Sequence, residues 1–222
     1  MKPDLVLLHG ALGSASHWHA IKVLLENEYT VYTPDFPGHG SSSSPACSQI
    51  INLVDYLNSY LEEQQLSNPL LAGYSMGGYV ALMAALRANT KFSKLICLAT
   101  KLNWSEAIAE EEAAKLNPLS LEPILPKLHA EHGANFNNLL YTTSSILKSI
   151  GAHPLSVAEM TNLHTNCVFI RGEKDKMVSA SENQMFAEAS TFAQYIEMPA
   201  QGHLLEKMDP TTVANLFKQV FH

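Results

Sequence analysis

Short, uninterrupted apolar runs alternate with longer stretches of helical periodicity along most of this chain. Leu5-Val6-Leu7-Leu8 is apolar at every position, the pattern of a strand covered on both faces. Trp18, Ile21, Leu24 and Leu25 then fall on one side of a helix, and Thr30 to Thr33 reads as a second strand. Ile50 through Leu66 carries apolar residues at 50, 53, 54, 57, 60 and 61, the stripe of an amphipathic helix. Leu70-Leu71-Ala72 begins a third strand that passes at once into an Ala/Leu/Met-rich helical run ending at Leu86. Lys94 to Ala99, Cys167 to Ile170 and Gln194 to Met198 are further strands, and helices are expected over 179–190 and 210–221. Strand and helix in turn predict an α/β fold: a mainly parallel central sheet of about six strands with helices on both faces.

The alternation stops between Thr100 and Leu155. Glu106 to Leu116 has the composition of a helix, and Pro118, Pro123 and Pro126 interrupt the stretch after it. A longer helix then carries Phe136, Leu139, Leu140, Thr143, Ile146, Leu147 and Ile150. Within one domain spanning 1–222, residues 101–155 are therefore expected to form a short helical cap. Its place would be the C-terminal edge of the sheet, where open α/β sheets bind ligands.

Composition narrows the function classes. The 222 residues are 46% hydrophobic and 16% charged, proportions of a globular chain rather than a disordered one. The net charge of −7 comes with no basic cluster, which argues against a nucleic-acid partner. No apolar run approaches the roughly 20 residues of a membrane span, and the first residues lack a signal-peptide layout. Cys47, Cys97 and Cys167 form no CxxC pair; buried thiols in a reducing compartment, the cytoplasm, are expected. No HExxH or Cys/His spacing announces a metal, and no cofactor motif is present. The Glu110-Glu111-Glu112 run is expected to be a solvated helix face, and His9 and His39 to hold loops through backbone hydrogen bonds.

The third strand and its helix meet at Gly73-Tyr74-Ser75-Met76-Gly77, a G-x-S-x-G nucleophile elbow. Such a turn strains the serine backbone so that the hydroxyl leaves the sheet, and side chains at the flanking positions would collide with neighbouring backbone. A serine that merely caps the helix is the alternative at this point. A serine hydroxyl is a weak nucleophile near neutral pH and needs a base, which needs an orienting carboxylate. For a strand-turn-helix elbow the order is serine, carboxylate, histidine. Asp175 follows the fifth strand and His203 the sixth; Glu173 competes with Asp175 in the same turn.

Five segments in order resemble the α/β-hydrolase fold superfamily over essentially the whole chain. They are His9-Gly10-x-x-Gly13-Ser14, Asp35-x-x-Gly38-His39-Gly40-x-Ser42, Gly73-x-Ser75-x-Gly77-Gly78, Gly172-x-x-Asp175 and Gly202-His203. The resemblance implies Ser75 as nucleophile, His203 as general base and then acid, and Asp175 as orienting carboxylate. It also implies an oxyanion hole from the backbone N–H groups of Ala11 and Met76. Leu12, Tyr74 and Trp104 are expected at the substrate pocket. Family members often carry two more strands ahead of the first seen here, so a trimmed sheet is expected. The activity implied is that of a serine hydrolase on a small, partly hydrophobic carboxylic ester, working as a monomer or small homo-oligomer. The same triad also serves C–C bond hydrolases and proton-abstracting lyases, and the scaffold serves non-catalytic ligand receptors.

Overall fold

In the computed structural model, which describes residues 2–88 and 90–222, the apolar runs become six strands. These are β1 (Asp4–Leu8), β2 (Thr30–Tyr32), β3 (Leu70–Tyr74), β4 (Lys94–Leu98), β5 (Cys167–Gly172) and β6 (Ala193–Met198). They pair side by side, all parallel, in the order β2-β1-β3-β4-β5-β6. Because every strand runs the same way, the loops at their C-terminal ends gather at one edge.

Side chains alternate across the sheet with the strand period of two. Val6, Leu8, Leu71, Leu95, Cys97 and Phe169 point to one core, where they meet α2 (Ile50–Glu63) and α3 (Met76–Arg87). Leu5, Leu7, Ala72, Ile96, Leu98 and Ile170 point to the other, under α1 (His19–Leu25) and α9 (Pro210–Phe221). The apolar runs are continuous because both faces are covered. In α2 the stripe Ile50, Leu53, Val54, Leu57 and Leu61 is buried as the periodicity requires. In α1 the expectation fails at Leu24, which stays exposed while Trp18, Ile21 and Leu25 enter the core.

Only helices lie between β4 and β5: α4 (Glu106–Ala114), α5 (Pro118–Leu121), α6 (Leu125–His132) and α7 (Phe136–Ala152). The prolines that break the sequence pattern start helical turns here. Pro118 stands at the start of α5, Pro123 at the start of a 3-10 turn and Pro126 at the start of α6. Proline suits these positions because its missing N–H would have no intrahelical partner and its φ is already helical. Helix α8 (Ala180–Glu188) completes the layer beside β5 and β6.

Candidate active site

Strand β3 turns into α3 within a single residue. Ser75 sits there with φ 52° and ψ −115°, a left-handed conformation that costs a non-glycine residue about 1–3 kcal/mol. The turn tolerates it because the neighbours leave no room for another path. A Cβ on Gly77 would lie 2.6 Å from the carbonyl oxygens of both Leu8 and His9, and one on Gly73 would strike the Gly77 backbone. The Ser75 N–H is fixed 2.8 Å from the Leu98 carbonyl. Leu12, Ala99 and Ala200 share a positive φ with Ser75. These four come after β1, β3, β4 or β6 at the same edge; of the non-glycine positive-φ residues among those described, Gln65, ahead of β3, is the one away from the site.

Asp175 and His203 reach that edge from the loops after β5 and β6. Their link is direct: His203 Nδ1–H donates to Asp175 Oδ2 at 2.8 Å. The other carboxylate oxygen, Oδ1, accepts the N–H groups of Met177 at 2.8 Å and Val178 at 3.0 Å. Burial of the aspartate side chain acts to raise its pKa. The His203 hydrogen bond and charge, with the two backbone donors, outweigh burial and hold it below the ordinary carboxylate value. With Nδ1 committed to Asp175, the free nitrogen of a neutral His203 is Nε2, the atom able to accept a proton. Glu173, the rival carboxylate, instead accepts the Ala200 N–H at 2.8 Å and clamps the two loops together.

Ser75, Met76, Ala11 and His203 open onto one cavity of about 160 Å³. Its other walls include Tyr79, Trp104, Leu116, Leu147, Ile150 and Met177. The N–H groups at the start of α3 have no intrahelical acceptor; Met76 is the first of them, and it lines the same cavity as Ala11.

Two of the residues expected at the pocket lie elsewhere. Leu12 packs with Leu128, Phe136, Leu139 and Leu140 in a separate apolar cluster under α6 and α7. Tyr74 belongs to the core on the α1/α9 side, its ring 5.6 Å from that of His203. Burial there, with the charge of Asp175 adding, pushes its phenol up to about 12 against a bond to Leu205, so it stays neutral at physiological pH. Trp104 does line the cavity and donates from Nε1 to the Lys101 carbonyl at 2.9 Å. Glu112 departs from the expected solvated face: it turns into the cavity wall, as do Lys101 and Lys115. No spacing rule singles these three out, because the loop 99–104 brings Lys101 to α4.

Histidines staple the loops around the cavity. His9 Nε2 accepts the Phe36 N–H at 3.0 Å, so its proton is on Nδ1, which donates to the Gly10 carbonyl at 2.8 Å. His132 Nδ1 accepts from the Gly40 N–H and its Nε2–H donates to the Leu12 carbonyl, each at 3.0 Å. One ring from α6 thus joins the loops after β1 and β2. Among the described residues, no group of three His, Cys, Asp or Glu side chains is placed to hold a metal ion.

The sequence profile of the alpha/beta hydrolase fold matches residues 3–122, more than half of the chain. The chain belongs to the alpha/beta hydrolase fold family. A pimeloyl-[acyl-carrier protein] methyl ester esterase from Pseudoalteromonas atlantica is 36% identical over 100 residues, covering 44% of this chain and 37% of the esterase. A 2-succinyl-6-hydroxy-2,4-cyclohexadiene-1-carboxylate synthase from Pectobacterium atrosepticum is 22% identical over 205 residues, covering 79% of each protein. For several curated relatives the matching stretch spans little more than a third of the relative's length. Among solved structures, NosK from Streptomyces actuosus superposes with a TM-score of 0.85 at 19% identity, covering 100% of this chain and 98% of NosK; at that identity the likeness concerns the fold.

Proposed function

We propose that this protein hydrolyses a small, partly hydrophobic carboxylic ester or related acyl compound through an acyl-enzyme on Ser75, His203 and Asp175. The observation that carries the reading is the buried Asp175 fixing His203 Nδ1 at 2.8 Å while His203 and Ser75 face one small apolar cavity. In this reaction Ser75 Oγ attacks the acyl carbon and its proton passes to His203 Nε2. The backbone N–H groups of Ala11 and Met76 hold the oxyanion, worth about 2.7–4 kcal/mol for one donor. His203 returns the proton to the leaving alcohol, and a water then repeats the cycle on the acyl-Ser75. The aspartate stays ionised and keeps the imidazole in the working tautomer. Nothing in this sequence of steps requires a cofactor or a metal. Three free thiols, at Cys47, Cys97 and Cys167, fit a reducing compartment such as the cytoplasm, where the protein would act as a monomer or small homo-oligomer. Ser75→Ala should reduce hydrolysis of a short 4-nitrophenyl ester to background; full retention of activity would sink the reading.

The synthase from Pectobacterium atrosepticum aligns over 79% of this chain, and this favours a second reading. There Ser75 and His203 serve proton abstraction or C–C cleavage instead of ester hydrolysis. Mass spectrometry during turnover separates the two: an accumulating acyl-Ser75 adduct supports the ester route, and turnover with no adduct supports the other.

A further inference from the structure

The charged corner of the cavity is the feature that the hydrolytic reading leaves unused. Lys101 has a side chain only 21% exposed, the most buried among the ion-paired lysines of the described residues. A lysine that deep ordinarily makes short bonds, because burying an ammonium is costly unless it is paired. The partners of Lys101 are all distant. Its Nζ lies 3.9 Å from Glu112 Oε1, 3.4 Å from the Met177 carbonyl and 5.9 Å from the centroid of the Trp104 ring. More exposed lysines are held closer: Lys148 at 2.8 Å from Glu110 and Lys218 at 2.6 Å from Glu28.

Glu112 does not make up the difference. Its Oε2 is engaged by Lys115 at 3.1 Å, and Lys115 is drawn outward by a second carboxylate, Glu111, also at 3.1 Å. Glu182, the other carboxylate that acts on Lys101, is buried in α8, and among the described residues its Oε1 has no hydrogen-bond partner. Burial pushes its pKa up, against the pull of Lys101. An ammonium with three donors therefore stands at the wall of a mostly apolar cavity that Glu112, Lys115, Ser75 and His203 also line.

We propose that Lys101 is an anion subsite, and that the substrate is a short-chain ester carrying a free carboxylate at the end away from the scissile bond. The inference rests on the hydrolytic reading above. A carboxylate reaching Lys101 forms charge-assisted bonds of about 2.7–2.9 Å, shorter than any the side chain makes within the protein. The cavity, of about 160 Å³, suits a short linking chain. Half-esters of short dicarboxylic acids have this layout. Trp104 supports the selection, since its ring attracts the ammonium and presents an apolar face to the linking methylenes. Glu112 acts in the opposite sense, as the internal carboxylate that the substrate displaces.

The test compares monomethyl glutarate with a neutral ester of the same shape, methyl 5-methylhexanoate, by proton release at low ionic strength. The wild type is expected to favour the anion about tenfold in kcat/KM, equivalent to about 1.4 kcal/mol. Lys101→Met should level the ratio by raising KM for the half-ester, and Lys101→Arg should keep the preference. Glu112→Gln should increase it, since the competing carboxylate is gone. A wild-type ratio at or below one, or a ratio that Lys101→Met leaves unchanged, overturns the inference. Calorimetry of glutarate with Ser75→Ala separates this inference from the reading beneath it. Glutarate binding that is lost in Ser75→Ala/Lys101→Met, with neither ester hydrolysed by the wild type, removes the hydrolytic reading and leaves the anion subsite. Hydrolysis of both esters with no preference for charge does the reverse.

Discussion

Replacing Asp175 by Asn tests the site at the point where its geometry is most constrained. The two side chains have nearly the same shape, so the exchange alters hydrogen-bond polarity with little change in packing. Asp175 Oδ1 faces two backbone donors, Met177 N–H at 2.8 Å and Val178 N–H at 3.0 Å. An Asn side chain has one oxygen, and placing its NH₂ against those donors would leave buried groups unpaired at about 1–3 kcal/mol each. The oxygen therefore stays with Met177 and Val178, and the NH₂ faces His203. There it meets Nδ1 at 2.8 Å, which must now accept rather than donate. The imidazole proton moves to Nε2, and the nitrogen that should take the Ser75 proton is blocked. The same exchange in a serine-protease triad lowers kcat about 10⁴-fold, or about 5.4 kcal/mol at 1.36 per tenfold. A drop of that order is expected in ester turnover at pH 7.5, with a thermal midpoint within a few degrees of the wild type. Glu173→Gln is the control: its partner is the Ala200 N–H, which an amide oxygen also satisfies, so turnover should change little. Asp175→Asn within tenfold of wild-type kcat, or a larger loss in Glu173→Gln, would refute the tautomer argument.

Packing and charge give further expected outcomes. Gly77→Ala places a Cβ 2.6 Å from the Leu8 and His9 carbonyl oxygens; urea unfolding should show a loss of at least about 1–3 kcal/mol, the usual cost of overpacking. His132→Ala strands the Gly40 N–H and the Leu12 carbonyl, so hydrogen exchange over residues 125–135 should accelerate with the sheet unaffected. Burial lowers the pKa of His9 to about 4 and of His39 to about 3. Both are neutral when folded, while the unfolded chain takes up protons below the ordinary histidine value of about 6.5. Their contribution to stability is complete above that value and is lost as pH falls toward 4 and then 3, by up to about 1.4 kcal/mol per pH unit for each ring. The depressed Asp175 carboxyl acts in the same direction at lower pH, since its contribution is lost as pH falls through its folded value. The urea midpoint should fall between pH 6.5 and 4, less steeply in His39→Leu.

Much of this architecture was legible because the residues that specify it do so locally. The unbroken apolar runs within β1, β3 and β4 announce a sheet covered on both faces, and the elbow glycines announce a close approach that the contacts of Gly73 and Gly77 display. The end of each strand likewise brought Ser75, Asp175 and His203 to one edge, since parallel strands share their C-terminal side. What was not legible depended on tertiary placement. Prolines 118, 123 and 126 read as interruptions, whereas each starts a helical turn; a proline at a first turn and one that breaks a helix look alike without the partner surface. Leu12 is an apolar residue two positions after a motif glycine, yet it packs with Leu128 and Phe136 instead of facing the cavity. The charged triplet at 110–112 read as solvated, and Glu112 was redirected by the packing of α4 on α7 and by Lys101. Such side chains are assigned by neighbours far away in sequence, which no periodicity reports.

Ester hydrolysis by this route requires Ser75 to be an activated nucleophile beside a formed oxyanion hole. The most direct measurement is labelling with a fluorophosphonate, wild type against Ser75→Ala, with the adduct located by mass spectrometry. Stoichiometric labelling at Ser75, absent from the variant, is the expected result. A folded wild-type protein that takes up no label, or takes it up at another residue, would contradict it.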